Sequence, residues 1–445
     1  MQDPTVIIIG AGVSGLAAAC ELARAGLRVC ILEARERIGG RVFTIQDPAL
    51  DTPIELGAEF IHGQPPEIWK PLKKAKVKIS EVEGDNWCAA GGQLSTCDFF
   101  SDVDRILEKM DDSAPDESFL DFLEREIPRP RNAREREAKQ RALSYVSGFN
   151  AADPSLVGVH WLVQGMEAEE RIHGDRSFRS RHGYQDLLDI FHKEIGRYQI
   201  AVRTSSVVES VRWRPRDATL AVREHDRSVT VHAPVVLVTL PISLWKAPAG
   251  QPGVVQFSPA LPQEKLKAAK KMEMGHVVRI VLRFRRRFWD TMASPTRGTL
   301  SEMSYLFSQD EWFPTWWTAM PEKSPIITGW APFRSAERLS GQPESFVVER
   351  SLQTLSELLG VSSEDLRRQL EGAYFHDWQS DPFSRGAYSY GRVGADGAQQ
   401  ALAAPLEKTL FFAGEATDTS GHNGTVHGAI ASGQRAAREI LQALD

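Results

Sequence analysis

Residues 6–33, "VIIIGAGVSGLAAACELARAGLRVCILE", leave the chain few folds to choose from. Val6 to Ile9 are apolar in succession, as a strand buried on both faces of a parallel sheet must be. Gly10, Gly12 and Gly15 follow in G-x-G-x-x-G spacing. Leu16, Ala19, Cys20, Leu22 and Ala23 then recur at helical spacing, and Gly26 ends the run as a C-cap would. A second strand, "RVCILE", ends in Glu33, eighteen positions after Gly15. Glycines between strand and helix let a backbone approach a pyrophosphate, which rests on the helix amino terminus. A carboxylate at this distance bonds ribose hydroxyls. The implied architecture is α/β, with a Rossmann-like dinucleotide-binding core.

Composition narrows the rest. Hydrophobic residues make up 42% of the 445 and charged residues 25%, as in ordinary globular chains. A net charge of −6 argues against a nucleic-acid partner. The first apolar run is short and flows straight into the glycine motif, so no secretory leader is expected. No run approaches the roughly 20 apolar residues of a membrane span, and no membrane anchor is expected. A cytoplasmic location rests on those absences. The acidic stretch 102–126 and the basic stretch 129–141 read as solvated helical faces. Four cysteines lack metal spacing, and no metal site is expected. Cys88 and Cys97 flank a hairpin turn, "AAGGQ", and read as free thiols.

A second motif lies at 409–444. "LFFAGE" is a buried strand ending in Gly414 and Glu415. A helix starting near Gly424 packs Val426, Ala429, Ile430, Ala437, Ile440 and Leu441. Its amino terminus would face whatever precedes it and favour an anion there. The extension "EARERIGGR" adds Arg35, Gly39, Gly40 and Arg41 behind Glu33, which a nicotinamide dehydrogenase has no reason to carry. A Glu33 carboxylate also repels a 2′-phosphate, which argues against NADP.

With these motifs the chain resembles the flavin-containing amine oxidases, the monoamine, polyamine and lysine-specific demethylase group. "PIELGAEFIHG" (53–63) resembles a block of polyamine and spermine oxidases. "RTSSVVESVRW" and "VVLVTLPISL" resemble the return strands of an FAD domain, and "FHDWQSDPFSRGAYSY" the segment that brings a Trp and a Tyr to the flavin. The resemblance implies a discontinuous FAD-binding domain (1–72, 178–250, 385–445). An α+β substrate-binding domain with a mixed sheet would take 73–177 and 251–384. It places Gly10, Gly12, Gly15, Glu33, Ala34, Arg35, Gly39, Gly40 and Arg41 on the ADP half of FAD, with Val208 against the adenine. Gly57, Ala58 and Glu59 fall near the flavin or ribityl chain, Gly414 and Glu415 along the pyrophosphate–ribityl region, Val426 at the flavin O2 and Trp378 beside the ring.

Monoamine oxidases attach flavin to a cysteine just before the first cage tyrosine. That position is Ala387, which implies non-covalent FAD. Of the two cage positions facing the flavin, Tyr388 fills the first and Thr425 the second, where several relatives carry an aromatic. A core role for Tyr388 remains the alternative. His62 matches a polar position at the pocket mouth, or is a satisfied structural histidine. Phe60 neighbours it. Trp316 and Trp317 lie on one strand and so face opposite sides. Trp317 is the pocket candidate, with a core place open to either.

One residue breaks the pattern of "HVVRIVLRF" (276–284). Arg279 sits mid-strand among β-branched neighbours, and a buried guanidinium needs a partner or a wet cavity. The resemblance puts Arg279 where most members carry a lysine that holds a water at flavin N5. Arginine keeps its charge and presents a planar fork. It would either clamp a substrate carboxylate or leave that water poorly organised, slowing oxygen. The implied activity is oxidation of an amine C–N bond by hydride transfer to flavin. Imine hydrolysis and hydrogen peroxide would follow, with molecular oxygen or another acceptor taking the electrons. The alternatives are a desaturase or dehydrogenase acting on a non-amine, and a flavin-bound scaffold or redox sensor.

Overall fold

Val6–Ile9 forms the middle strand of a five-stranded, wholly parallel sheet. The order is Ala201–Arg203, Val29–Leu32, Val6–Ile9, Val235–Val238, Leu410–Phe412. The computed structural model describes residues 3–90, 93–225, 227–292 and 298–444. Alternation along the central strand sends Val6 and Ile8 toward the helices Val13–Arg24 and Val426–Leu444. Ile7 and Ile9 face a second layer, the four-stranded sheet containing Ser206–Arg214 and Asp217–Glu224. Both faces are covered, hence the unbroken apolar strands. The two helices approach closely through small residues. A Cβ at Gly433 would lie 2.1 Å from the Ser14 carbonyl oxygen, and Ser14 Oγ meets Ser432 Oγ at 3.2 Å. The α/β architecture implied by the first motif is what the chain forms.

A seven-stranded mixed sheet stands opposite. Its order is Leu370–Phe375, Val277–Phe284, Ile326–Pro332, Thr315–Thr318, Met303–Phe307, Asp85–Ala90, Gln93–Thr96. Only the pair Met303–Phe307 with Asp85–Ala90 is parallel. On Val277–Phe284, residues Val278, Ile280, Leu282 and Phe284 enter a core shared with the helix Glu344–Leu359. The other face carries Val277 and Arg279, and it lines the large cavity between the sheets. Helices Phe99–Leu107, Phe119–Glu126, Ala133–Gly148 and Val159–Glu170 close one side.

The free-thiol reading of Cys88 and Cys97 is overturned: the two form a disulfide. Asp85–Ala90 pairs antiparallel with Gln93–Thr96, Cys88 opposite Ser95. Cys97 is then two residues on, on the same face, with its Cα 5.7 Å from that of Cys88, inside bonding range. The hairpin already let the two cysteines lie near each other; the thiol reading rested on the missing export signal. Gly91 and Gly92 of the expected turn lie outside the described residues. Cys20 and Cys30 are buried and free. Among the described residues no helix is long and apolar enough to cross a membrane.

Glu55 fastens the short strand Ile54–Glu55 to the helix Gln185–Tyr198. Its Oε1 accepts from Tyr184 N at 2.6 Å and its Oε2 from Thr44 Oγ1 at 2.8 Å. Burial pushes its carboxyl up to about 7. A raised folded-state value means the associated stability is full below about pH 4.5 and is lost as pH rises through about 7. Glu55→Gln keeps the shape without the charge. Thermal and denaturant unfolding from pH 4.5 to 8 should show the variant gaining about 3 kcal/mol on the wild type across that window. A constant difference would remove Glu55 as the cause.

Candidate active site

The carboxyl ends of the parallel strands face the mixed sheet across a cavity of about 1370 Å³. Ordinary small-molecule pockets span roughly 300–1,000 Å³, so there is room for a dinucleotide and a second molecule. Every site residue singled out in the sequence lines this cavity except Gly15. Gly15 serves packing: a Cβ there would lie 2.1 Å from the Gly10 carbonyl oxygen.

At one end Gly12 caps the helix Val13–Arg24, and a Cβ there would meet nothing within 4 Å because the cavity begins at that point. The second glycine pair lies directly against the first. Gly39 bridges Gly12 and donates its N–H to the Ala11 carbonyl at 2.8 Å. Glu33 is buried and accepts from Ala11 N at 2.7 Å and Arg35 N at 2.9 Å. One lone pair on each of its oxygens remains for a ribose hydroxyl. Ala34 and Val208 line the same end. Arg35 is held by Asp381 and Ser384, both at 2.8 Å. These residues fit an ADP group.

Farther in, Arg41 joins the two sequence motifs. Its Nη1 donates to the Ala387 carbonyl at 2.7 Å and to Glu415 Oε1 at 2.9 Å. Glu415 Oε2 also accepts from Ser389 Oγ at 2.6 Å and Gly424 N at 3.1 Å. Gly414 stands at φ +126°, a conformation for glycine. Trp378 is buried and donates to the Leu56 carbonyl at 2.8 Å, with Gly57 and Ala58 following on the cavity wall. Val426 is the first residue of the last helix, so its N–H has no intrahelical partner.

Tyr388 donates to the Phe149 carbonyl at 2.7 Å and packs beside Gly424. Thr425 accepts from Gly428 N at 3.0 Å and donates to the His422 carbonyl at 2.6 Å. It is the N-cap of the last helix, a role that explains threonine at this position and that its spacing to Gly428 could have revealed.

Arg279 faces this cavity and is only 4% exposed. Nη1 donates to the Gly57 carbonyl at 2.7 Å, Nη2 pairs with Glu59, and the guanidinium lies 5.4 Å from the Trp317 ring. Glu59 is shared. Its Oε1 accepts from Arg179 Nε at 2.7 Å and its Oε2 also from Trp317 Nε1 at 3.0 Å. Burial works to raise the Glu59 carboxyl, but Arg279 and Arg179 outweigh it and hold the group below its ordinary range. Trp316 faces the opposite way, fully buried, and bonds the Phe313 carbonyl.

Phe60, Tyr305 and Trp317 form an aromatic wall with ring centroids 5.6–6.3 Å apart. His62 continues it, 6.1 Å from Phe60 and 5.3 Å from Phe149, which stacks on Tyr145. Burial lowers the affinity of His62 for a proton. Asp104, Glu108, Glu169 and Glu170 reach the same cavity, so part of the acidic stretch 102–126 borders it. The sequence reading missed Arg179, Phe149, Tyr305 and Glu169. Strand alternation in "SFRS" could have aimed Arg179 inward; the others carry no local signal.

Residues 13–441 match the family model for flavin containing amine oxidoreductase. Polyamine oxidase 4 of Oryza sativa subsp. japonica is 27% identical over 460 residues, 98% of this chain and 88% of its own length. Lysine-specific histone demethylase 1 homolog 3 of Arabidopsis thaliana is 27% identical over 504 residues. That match takes in 100% of this chain, which spans only 30% of the demethylase homolog. Among solved structures, putrescine oxidase bound to putrescine superposes with a TM-score of 0.80 at 19% identity, covering 99% of each chain. Cyclohexylamine oxidase from Brevibacterium oxydans IH-35A does so at 0.79 and 19%, covering 100% of each. At such identities the likeness is one of fold.

Replacing Glu59 should be costly, because Arg179 and Arg279 would face each other without their anion. Glu59→Gln is expected to lose about 3 kcal/mol in denaturant unfolding. Trp317→Phe removes one donor and should lose about 1 kcal/mol. Equal losses would mean the ion pairs carry no special weight.

Proposed function

The chain belongs to the flavin-containing amine oxidoreductase family, and we propose that it oxidises a C–N bond of a small amine carrying a second cationic nitrogen. The supporting observation is the cavity itself, whose lining brings together the aromatic wall, the carboxylates Asp104, Glu108, Glu169 and Glu170, and the pair Tyr388 and Thr425. FAD is the cofactor, held without a covalent bond; Ala387 offers no nucleophile at the attachment position. When bound, it supplies a two-electron acceptor that takes hydride from the carbon beside nitrogen and passes the electrons to oxygen as hydrogen peroxide.

Those carboxylates favour cationic amines in the cavity. Phe60, Tyr305 and Trp317 exclude water and favour a neutral reacting nitrogen, whose lone pair assists loss of hydride. Tyr388 presents one aromatic face to that nitrogen, and Thr425 leaves the opposite side open to a bulkier or secondary amine. Glu59 cannot act as base while two arginines and Trp317 hold it. The proton is therefore shed to water before oxidation, and water hydrolyses the resulting imine.

Arg279 already pairs with Glu59 and donates to the Gly57 carbonyl, which weighs against its clamping a substrate carboxylate. Amino acids are accordingly poor substrates. Two of its donors are taken by Gly57 and Glu59, and its planar fork is less free to turn toward an N5 water than a lysine ammonium would be.

Anaerobic mixing of the yellow holoenzyme with amines, followed near about 450 nm, tests this reading. Diamines and polyamines should bleach it at least about tenfold faster than simple monoamines, and amino acids should not. No bleaching by any amine, with normal reduction by dithionite, would reject it. Acid denaturation should leave all the FAD in the supernatant. Arg279→Lys should speed reoxidation by oxygen; an unchanged rate would take Arg279 out of that step.

A further inference from the structure

Three donor atoms converge beside the cavity with no hydrogen-bond partner among them. Glu169 ends the helix Val159–Glu170, His427 lies in the first turn of the last helix, and His422 lies in the loop before it. His422 Nδ1 stands 3.7 Å and His427 Nε2 3.9 Å from the same oxygen, Glu169 Oε1, and all three atoms fall within 4.8 Å of one another. His427 is 3% exposed, yet its Nε2 is buried without a hydrogen-bond partner, as is His422 Nδ1. An orphaned, buried ring nitrogen aimed at a carboxylate calls for an occupant.

We propose that Glu169, His422 and His427 bind a divalent transition metal of the zinc class, with its open position toward the cavity.

Distances decide between a metal and an ammonium group. Zinc bonds of about 2.0–2.2 Å put tetrahedral ligands roughly 3.3–3.6 Å apart. An ammonium donating bonds of about 2.8 Å would spread its acceptors to roughly 4.6 Å. The two measured separations, 3.7 and 3.9 Å, are too long for direct hydrogen bonds and lie nearer the metal value. Two imidazoles and one carboxylate are a donor set that zinc takes, leaving a fourth position for water.

The backbone that carries His422 is held in place by its neighbours. Asp418 Oδ2 accepts from His422 N at 3.0 Å, and Asn423 Nδ2 donates to the Asp418 carbonyl at 2.9 Å. Arg171 donates to the Ser420 carbonyl at 2.8 Å, tying the loop to the end of the Glu169 helix. Gly421 at φ +92° lets the loop press on that helix, since a Cβ would lie 2.7 Å from the Gln164 carbonyl oxygen. Glu169 and His427 line the cavity, so a bound metal would share space with a substrate. None of this depends on which amine is oxidised.

Chelator-treated holoenzyme, dialysed against zinc alone and assayed for metal content, should hold one zinc per chain with a Kd of about 10 µM or tighter. His422→Ala and Glu169→Gln should each weaken binding by about tenfold or more, with the flavin spectrum confirming the fold. His427→Gln should do the same if it retains FAD; His422→Ala and Glu169→Gln decide the matter if it does not. Zinc should also raise KM for the amine without lowering kcat. No stoichiometric zinc, or zinc binding unchanged in His422→Ala and Glu169→Gln, would overturn the proposal.

Discussion

The ion pair between Arg41 and Glu415 carries the architecture of the cofactor half. One carboxylate receives an arginine from the amino-terminal motif, the Ser389 hydroxyl and the Gly424 N–H. Three chain segments, distant in sequence, are thereby fixed around the same wall of the cavity. A buried pair of this kind adds little net stability, but losing either partner leaves a charge stranded. Its value lies in allowing only one arrangement of the segments. The close helix contact at Ser14 and Gly433 sets the same geometry from behind.

The mid-strand arginine follows the same logic at the other end. Arg279 is neither solvated nor lost in an apolar core. It shares Glu59 with Arg179 and Trp317 on a wall that also holds Gly57. Two guanidinium groups around one carboxylate leave a surplus positive charge in a buried place. A site of that polarity suits an electron-rich ligand.

What could be read from sequence was local. The strand–glycine–helix run and "LFFAGE" announce themselves because close backbone approach demands glycine within a few residues. Strand periodicity set Arg279 off from the face of Val278, Ile280 and Leu282, and the family resemblance put it at the flavin; neither could name Glu59 or Arg179, which other segments bring in. Cys88 and Cys97 were placed across a hairpin correctly but read as thiols because no export signal was seen, whereas the strand register brings them into a disulfide. Thr425 looked like half of an aromatic cage; its hydroxyl is also a helix cap. The Glu169, His422 and His427 cluster has no sequence spacing at all, since its members meet only through the packing of a loop on a helix.

The parallel sheet has a consequence for how the protein comes to be made. Val6–Ile9 is made well before its neighbour Val235–Val238, and Leu410–Phe412 completes the sheet later still. Contacts of such sequence separation are slow to form. A nascent chain short of Glu415 lacks the carboxylate that Arg41 needs. The glycine-rich turn therefore waits for its enclosing walls until Glu415 has been made, and cofactor capture follows the synthesis of that segment.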